Sequence, residues 1–250
     1  MREQLVLTGM VLFAQPVGEY DKRVVVLTRE RGKITAFARG ARRPGSGLLA
    51  AVNPFVFGSF SFYEGRSAYT MVQAEVQNYF HDLAADFEAT CYASYFMEFA
   101  DYYTRENCEE PQMLKLLYVS LRALQNPKLN QELVRYVFEL KAMTINGEYP
   151  EVFSCNCCGK GEGLFGFAPE ANGLVCADCK DRVRGRILPL RESARYALQF
   201  VVATPPEKLY TFTLTEEIFQ EFRTVVNLFR KKYIEKSFKS LEILGAVRNY

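Results

Sequence analysis

Four cysteines in the second half of the chain have the spacing of a metal site. They form two CxxC pairs, Cys155/Cys158 and Cys176/Cys179, separated by the 17 residues 159–175. Two residues between paired cysteines let the chain turn so that both thiolates reach one ion at about 2.3 Å, and two such turns complete a tetrahedron. Because four thiolates leave no open position for water, we expect one zinc ion with a structural role. The alternative is free thiols with chance spacing.

Three further cysteines lie outside these ligand positions. Cys157 is able in principle to replace a neighbour as ligand, but Cys158 keeps the two-residue spacing. Cys91 and Cys108 are predicted to be buried or incidental thiols. Seven cysteines without a secretion signal do not favour a disulfide framework, because an odd number leaves one thiol unpaired. Metal binding is therefore the better interpretation.

A second candidate site is a basic stripe between residues 22 and 43. Eight basic residues accompany a single acid, Glu30, in this stretch, and such a stripe attracts a polyanion. The flexible loop Arg42-Arg43-Pro44-Gly45 suits phosphate contacts that read no sequence. The alternative is an ordinary solvated surface. The basic residues are Lys22, Arg23, Arg29, Arg31, Lys33, Arg39, Arg42 and Arg43.

Aromatic residues and a further basic run accompany these two sites. Alternation in residues 53–65 points one set of aromatics inward, so most are predicted to be core, and the others to be stacking platforms for bases. After the second cysteine pair, a basic run with only Asp181 and Glu192 as acids is expected to be held rigidly by the metal site. The aromatic residues are Phe55, Phe57, Phe60, Phe62 and Tyr63, and the run contains Lys180, Arg182, Arg184, Arg186, Arg191 and Arg195.

Motifs for catalysis are scarce. The single histidine, His81, is predicted at a strand-to-helix junction, so a histidine-based nucleophile relay would depend on it alone. The chain has no GxSxG and no HxE motif, which argues against a hydrolase elbow and a nucleobase deaminase. Gly161, Gly163 and Gly166 form a GxGxxG, but they lie between the cysteine pairs and not between a strand and a helix. We predict a protein that is not an enzyme.

The composition is that of a globular protein. Of 250 residues, 49% are hydrophobic, and no apolar run reaches the roughly 18 residues of a membrane span. The first stretch, MREQLVLTGMVLFAQP, is interrupted by polar residues, Gly9 and Pro16 and contains no cleavage site. We predict a cytoplasmic protein with no membrane partner.

The elements that must position the basic stripe are short β-strands. From residue 5 to about 77 the chain reads as strands separated by turn signals, as in a small barrel or sandwich. KRVVVLTRE and KITAFARGA are separated by Arg31-Gly32 and so predict a hairpin. The other three strands are LVLTGMVLF, NPFVFGSFSFYEG and SAYTMVQAEVQ. Five strands fit an OB-type barrel.

Helical periodicity replaces the strand pattern after Asp86. Phe87, Cys91, Tyr95 and Phe99 recur every four residues, as on the buried face of a helix. Start and stop signals then predict four more helices. These run from Pro111 to the Asn126-Pro127 stop, from an Asn130 cap to Gly147, over 191–203, and from a Thr215 hydroxyl cap through Lys232 towards Lys236.

The pattern therefore predicts an α+β protein. An N-terminal five-stranded OB-type β-barrel precedes an α-helical domain, which carries a four-cysteine zinc-ribbon insertion. The expected regions are an OB-fold nucleic-acid-binding domain over 1–80, the first part of the helical domain over 81–150, the insertion over 151–188, and the second part of the helical domain over 189–250.

Together these residues resemble a known family. The segment from Asp21 to Phe55, with ARGARRP at its centre, is similar to the RecO family of bacterial recombination mediators, and the CxxCG…CxxC pair supports the resemblance. The resemblance extends over nearly the whole chain. It implies a non-enzymatic protein that binds single- and double-stranded DNA and anneals complementary strands. With RecR, such a protein helps to load RecA onto DNA coated with single-strand-binding protein during DNA repair.

The resemblance also implies site residues, partners and a location. Zinc ligation is carried onto the four cysteines of the CxxC pairs, although some family members lack them. The implied partner surface is in the helical domain, where the C-terminal tail of single-strand-binding protein binds, and the implied location is the bacterial cytoplasm with nucleoid association. DNA contact is carried by position onto Lys22, Arg23, Arg29, Lys33, Arg39, Arg42 and Arg43.

Other functions remain open at the level of sequence. An RNA-binding or ribosome-associated factor is the first alternative, because OB barrels and zinc ribbons both serve RNA. A zinc hydrolase or nuclease is a second, and a scaffold whose acidic middle region binds other proteins is a third.

Overall fold

The computed structural model describes residues 4–248, so the outermost residues of the first and last predicted regions lie outside it. The chain divides into two compact units. One comprises Met1–Gln125 together with Phe238–Tyr250, and the other comprises Asn126–Ser237. Within the described range, no helix is both long and apolar enough to cross a membrane.

Five strands of the first unit close into the predicted barrel. Neighbouring strands follow the order β1-β2-β3-β5-β4, with β4 returning to β1. All pairs are antiparallel except β3 with β5. A bulge between Val11 and Phe13 lets the long first strand bend and pair with both β2 and β4. The strands are β1 Gln4–Val17, β2 Asp21–Thr28, β3 Gly32–Ala38, β4 Phe57–Tyr63 and β5 Tyr69–Asn78.

Alternate residues of these strands fill the barrel. Val24 and Val26 of β2 lie inside with Ile34 of β3 and with Phe60 and Phe62 of β4, all of them buried. Their period of two explains why the strand pattern is readable from sequence. The prediction that most of the β4 aromatics are core is correct for these two phenylalanines. Phe55, Phe57 and Tyr63 are instead only half-buried.

Three helices complete the first unit. They are α1 Phe87–Tyr103, α2 Pro111–Leu124 and α6 Lys239–Arg248. The Asp86 side chain caps α1 by accepting a hydrogen bond from the Ala89 amide, and Pro111 begins α2 as predicted. Helix α6 was not predicted. It packs on α1, and Phe238, just before it, lies against the rings of Tyr95 and Phe99.

The second unit combines three helices with a small sheet. The helices are α3 Gln131–Ile145, α4 Glu192–Ala203 and α5 Glu216–Tyr233, and the strands are β6 Leu164–Ala168, β7 Gly173–Cys176 and β8 Leu188–Pro189. Asn130 caps α3 through the Leu133 amide, as predicted. The predicted hydroxyl cap at Thr215 is wrong, because its side chain makes no capping hydrogen bond. The small sheet, in the order β7-β6-β8, lies in the stretch where sequence periodicity is lost.

One turn of the barrel depends on a glycine. Gly32 begins β3 with φ of +63°, and a Cβ atom there would lie 1.6 Å from the Cys108 carbonyl oxygen. The segment after α1 approaches this turn closely, since Glu106 forms β-bridges with Gly32 and Lys33. Only a residue without a side chain fits, for both steric and conformational reasons.

We expect Gly32→Ala to destabilise the protein much more than Gly18→Ala. Gly18 also has positive φ, +59°, but nothing lies within 4 Å of its Cβ position. Gly18→Ala therefore measures backbone strain alone, about 1 kcal/mol, while Gly32→Ala adds a steric overlap of roughly 2 kcal/mol more. Urea unfolding of both variants checks this. Equal losses in the free energy of unfolding would show that the Cys108 contact does not constrain the turn.

Candidate metal centre and nucleic-acid interface

The four predicted cysteine ligands converge in the second unit. The Sγ atoms of Cys155, Cys158, Cys176 and Cys179 all lie within 4.8 Å of one another. The Cys158 and Cys176 sulfurs are 3.7 Å apart. Four sulfurs at about 2.3 Å from a central ion form a tetrahedron with edges of about 3.8 Å. The arrangement therefore has the dimensions of a four-thiolate metal site.

Local structure holds each cysteine pair in place. The first pair lies in a tight turn, in which the Gly159 amide donates to the Cys155 carbonyl at 2.8 Å and Gly159 has φ of +74°. Cys176 ends β7, and Cys179 follows in a short 3-10 helix, Ala177–Arg182. The CxxC spacing thus works as predicted, because each pair needs only one turn of chain to bring its sulfurs together.

The pKa values of two cysteines in this cluster are shifted in opposite directions. Burial opposes ionisation of Cys155, but hydrogen bonds from the backbone amides of Cys176, Cys157 and Cys158 lower its pKa to about 6. Burial and then hydrogen bonds with the other sulfurs raise the pKa of Cys179 to about 12. Neighbouring thiolates repel one another, so four can coexist only around a positive ion. Cys157 is exposed and is not part of the cluster.

In the first unit, the basic stripe is split between the two ends of β2. The strand has eight residues, so its ends lie about 25 Å apart at roughly 3.3 Å per residue. At one end, Lys22, Arg39, Arg42 and Arg43 gather around the turn between β1 and β2, and we call these four residues the turn cluster. At the other end are Arg29, Arg31 and Lys33. The sequence presents one stripe, whereas the fold separates these seven residues into two groups.

Backbone contacts and side chains of the β1–β2 turn organise the turn cluster. Lys22 pairs with Ala38 across the sheet, which places Arg39 beside it. The Arg42 amide donates to the Tyr20 carbonyl at 2.9 Å, and its guanidinium lies 3.4 Å from the Gly18 carbonyl. The Arg43 guanidinium lies 5.1 Å from the centre of the Tyr20 ring.

The charges of the turn cluster are left open to solvent. Arg39, Arg42 and Arg43 are exposed. Within residues 4–248, none of the four cations forms a salt bridge; Lys22 donates instead to the neutral Asn53 amide oxygen at 2.8 Å. Burial and then the charge of Arg42 lower the pKa of Lys22. The nearby Asp21 carboxylate accepts from the Gly40 amide at 2.7 Å, which stabilises the loop.

At the far end of β2, the predicted DNA-contact residues already have acidic partners. Arg29 pairs with Glu30 at 2.9 Å, and Lys33 pairs with Asp101 of α1 at 3.0 Å. The Lys33 ammonium also donates to the Asp101 carbonyl at 2.6 Å. The Lys33 side chain is only 15% exposed. This end of the stripe is therefore much less able to attract a polyanion.

Arg23 occupies a third position, beside a groove on the outer face of the barrel. The groove has a volume of about 860 Å³ and is bounded by β1, β2, β3 and α1. Phe13 and Phe55 line it together with Arg23, while Glu98 and Asp101 line the α1 side. Sequence reasoning missed this groove and the roles of Tyr20 and Asn53. The contacts that create them join residues far apart in the chain, and no local pattern signals them.

His81 and the second basic run are also placed by the structure. His81 begins a short 3-10 helix at the predicted strand-to-helix junction and stacks on Tyr79 at 4.8 Å. In the run, Arg191 forms salt bridges with Glu217 and Glu221 of α5, and Arg195 donates to the Leu190 carbonyl at 2.6 Å. Lys180, Arg182, Arg184 and Arg186 are exposed.

Comparison with known proteins agrees with this architecture. Residues 1–80 match the family model for the N-terminal part of recombination protein O, and residues 84–242 match the model for its C-terminal part. The chain is 31% identical to "DNA repair protein RecO" of Bacillus subtilis over 96% of this chain and 94% of that protein. It is 29% identical to the protein of the same name from Alkaliphilus metalliredigens, over 94% and 96% of the two chains. The chain therefore belongs to the recombination protein O (RecO) family.

Proposed function

We propose that this protein is a non-enzymatic recombination mediator of DNA repair, which binds single- and double-stranded DNA and anneals complementary strands. The turn cluster is the observation that carries the proposal. Its four cations lie at one end of the barrel, three of them exposed, and none forms a salt bridge with a carboxylate within the described chain. Such a surface suits phosphate groups, whose contacts supply affinity without reading sequence. Residues 1–80 are accordingly the proposed DNA-binding domain.

Annealing by this route needs no chemical step from the protein. Duplex formation supplies the free energy, and the protein has only to neutralise the repulsion between phosphates and hold the strands. Arg23 extends the proposed contact surface towards the groove, where Phe13 is 48% exposed and suits base stacking. Arg29 and Lys33 are proposed as weaker contacts, because a phosphate must compete there with Glu30 and Asp101.

The DNA assignment predicts a salt-dependent loss on charge reversal. We expect Arg42→Glu/Arg43→Glu to bind single-stranded DNA at least about tenfold more weakly at 50 mM salt, because two phosphate contacts become repulsions. The slope of log affinity against log salt falls by about 1.4. Fluorescence anisotropy from about 50 to 300 mM salt measures both quantities.

A matched control uses cations elsewhere in the same unit. Arg105 and Arg122 are exposed, so Arg105→Glu/Arg122→Glu changes the net charge equally without touching the turn cluster. This variant is expected to bind like wild type. Equal losses of DNA affinity in both variants would show that the effect depends on the net charge and not on the turn cluster. Strong preference for RNA of matched sequence would favour the RNA-binding alternative.

We further propose that the cysteine cluster holds one structural zinc ion. Cys155, Cys158, Cys176 and Cys179 fit it by donor type and by sulfur spacing. When bound, zinc supplies positive charge to four thiolates and cross-links two turns of chain. The unit gains stability from this link, because β6, β7 and β8 are too short to form an independent core.

Substitution of cysteine tests the ligand set. Cys176→Ser is expected to lose the bound zinc and to lower the thermal stability, because three sulfurs leave the tetrahedron incomplete. Cys157→Ser is the matched control and is expected to keep one zinc ion per chain, since Cys157 lies outside the cluster. Metal analysis of both purified proteins gives the answer. Zinc loss in Cys157→Ser would mean that Cys157 is a ligand.

The partners that we propose follow from family membership. They are RecR, the C-terminal tail of single-strand-binding protein, and RecA indirectly, with the bacterial cytoplasm and nucleoid as the location. The mediator role predicts that the protein anneals complementary strands coated with single-strand-binding protein, and that Arg42→Glu/Arg43→Glu slows this reaction. An annealing assay with fluorescent strands measures the rate. Annealing of bare strands only would contradict the mediator role and leave a protein that anneals unprotected DNA.

A further inference from the structure

A second basic surface lies beside the cysteine cluster, in the unit formed by Asn126–Ser237. This second basic surface is defined as the segments 169–172, 180–187 and 231–232. Together they contain six cations and two carboxylates. The cations are Lys180, Arg182, Arg184, Arg186, Lys231 and Lys232, and the carboxylates are Glu170 and Asp181.

Hydrophobic anchoring decides which way the arginines face. Val183 and Ile187 pack against the cysteine cluster and its buried neighbours. Arg182, Arg184 and Arg186 stand on either side of these anchors and are all exposed. The cysteine cluster therefore holds the backbone of the run, and the guanidinium groups point outward. The arrangement presents charge from a fixed segment and not from a loose tail.

Tertiary contacts bring the basic end of α5 to the same surface. The Lys232 ammonium lies 3.3 Å from the Asn172 side-chain oxygen and 3.5 Å from the Pro169 carbonyl, both in the turn between β6 and β7. Glu170, in the same turn, approaches Gly185 so closely that a Cβ there would lie 2.8 Å from the Glu170 Cγ. One turn thus contacts both Lys232 and the arginine run.

Few acids are available to neutralise this surface. Asp178 is occupied by Lys160, at 3.1 Å. Arg191 pairs with carboxylates of α5 and Arg195 donates to a backbone carbonyl. Within residues 4–248, the exposed arginines of the run form no salt bridge. The excess of six cations over two carboxylates is costly at close range unless a polyanion or counterions share the surface.

The chemistry of the surface favours phosphates over an acidic protein segment. The buried centre of a protein interface is more apolar than its rim, but Val183 and Ile187 are turned towards the cysteine cluster. Planar guanidinium groups suit bidentate contact with phosphate oxygens. These exposed arginines are therefore suited to backbone contacts that read no sequence.

From this arrangement we infer that the second basic surface binds the phosphate backbone of a second nucleic-acid strand while the barrel holds the first. The inference rests on the proposed DNA-binding function and adds a second site to it. Simultaneous occupancy explains how one chain serves two complementary strands. The required chemistry is charge neutralisation alone, so bases stay free to pair.

Strand bridging tests the inference directly. Two thymidine-only strands, one with a donor dye and one with an acceptor, cannot pair, so energy transfer reports that the zinc-loaded protein holds both. In Arg184→Glu/Arg186→Glu we expect at least about a fivefold loss of bridging, since two phosphate contacts are lost. Affinity for one strand at limiting protein stays within about twofold of wild type, because the turn cluster is intact.

The matched control makes the same charge change near the start of α3, where Leu209 lines a small cavity with Leu129. Lys231 and Lys232 of the second basic surface lie towards the end of α3, because the preceding Arg230 is close to Glu139. Lys128 and Lys208 are exposed, and α3 has 15 residues, which separates its two ends by about 21 Å. Lys128→Glu/Lys208→Glu is expected to bridge like wild type. Zinc content, unfolding midpoint and sedimentation of all variants establish that fold and oligomeric state are unchanged.

Several outcomes would overturn the inference. Normal bridging by Arg184→Glu/Arg186→Glu would show that the second basic surface does not bind a strand. An equal loss of bridging in the Lys128/Lys208 control would show the same. Loss of single-strand affinity in proportion to bridging means that one strand covers both surfaces. Displacement of the strand by polyglutamate at equal charge assigns the surface to an acidic protein partner. Failure of the wild type to bind any strand would instead overturn the proposed function itself.

Discussion

The closed barrel depends on one short parallel contact. Strand β3 pairs with β5 through Ala36–Ala38 and Tyr69–Met71, and without that contact the sheet would have two open edges. The small side chains Ala36 and Ala38 are fully buried there and belong to the barrel core. Since β3 ends at this contact, the chain that follows must leave the barrel beside the β1–β2 turn. That exit brings Arg39, Arg42 and Arg43 to Lys22.

The cysteine-rich segment of the second unit is too short to form a hydrophobic core of its own. Its three strands have five, four and two residues. Cys155, Cys176 and Cys179 are nonetheless buried with their sulfurs in contact range of Cys158. The zinc ion that we propose at their centre would replace the missing core and would fix the backbone from which the arginines of the run project.

Charge on this protein is sorted by tertiary contacts more than by position in the sequence. Lys33 and Lys22 are both strand residues of the basic stripe, yet Lys33 is held by Asp101 and Lys22 only by neutral Asn53. Arg191 belongs to the second basic run but pairs with α5, whereas Arg184 remains exposed. A cation that is paired with a carboxylate attracts a phosphate more weakly, because the carboxylate offsets its charge. The surfaces that can attract a polyanion are therefore those whose cations have no carboxylate partner.

The sequence by itself determined the features that rest on local physics. Strand alternation, the Asn130 cap, the Pro111 start and the two CxxC turns each involve neighbours within a few residues, so their patterns are visible in the chain. The family could likewise be inferred from ARGARRP and the cysteine pairs. Only the tertiary structure decided the features that need distant partners. Three such contacts leave no local signature: the ion pair of Lys33 with Asp101, 68 positions apart, the return of α6 to α1, and the approach of Lys232 to Asn172. Their energies depend on burial and charge that exist only after the chain has folded.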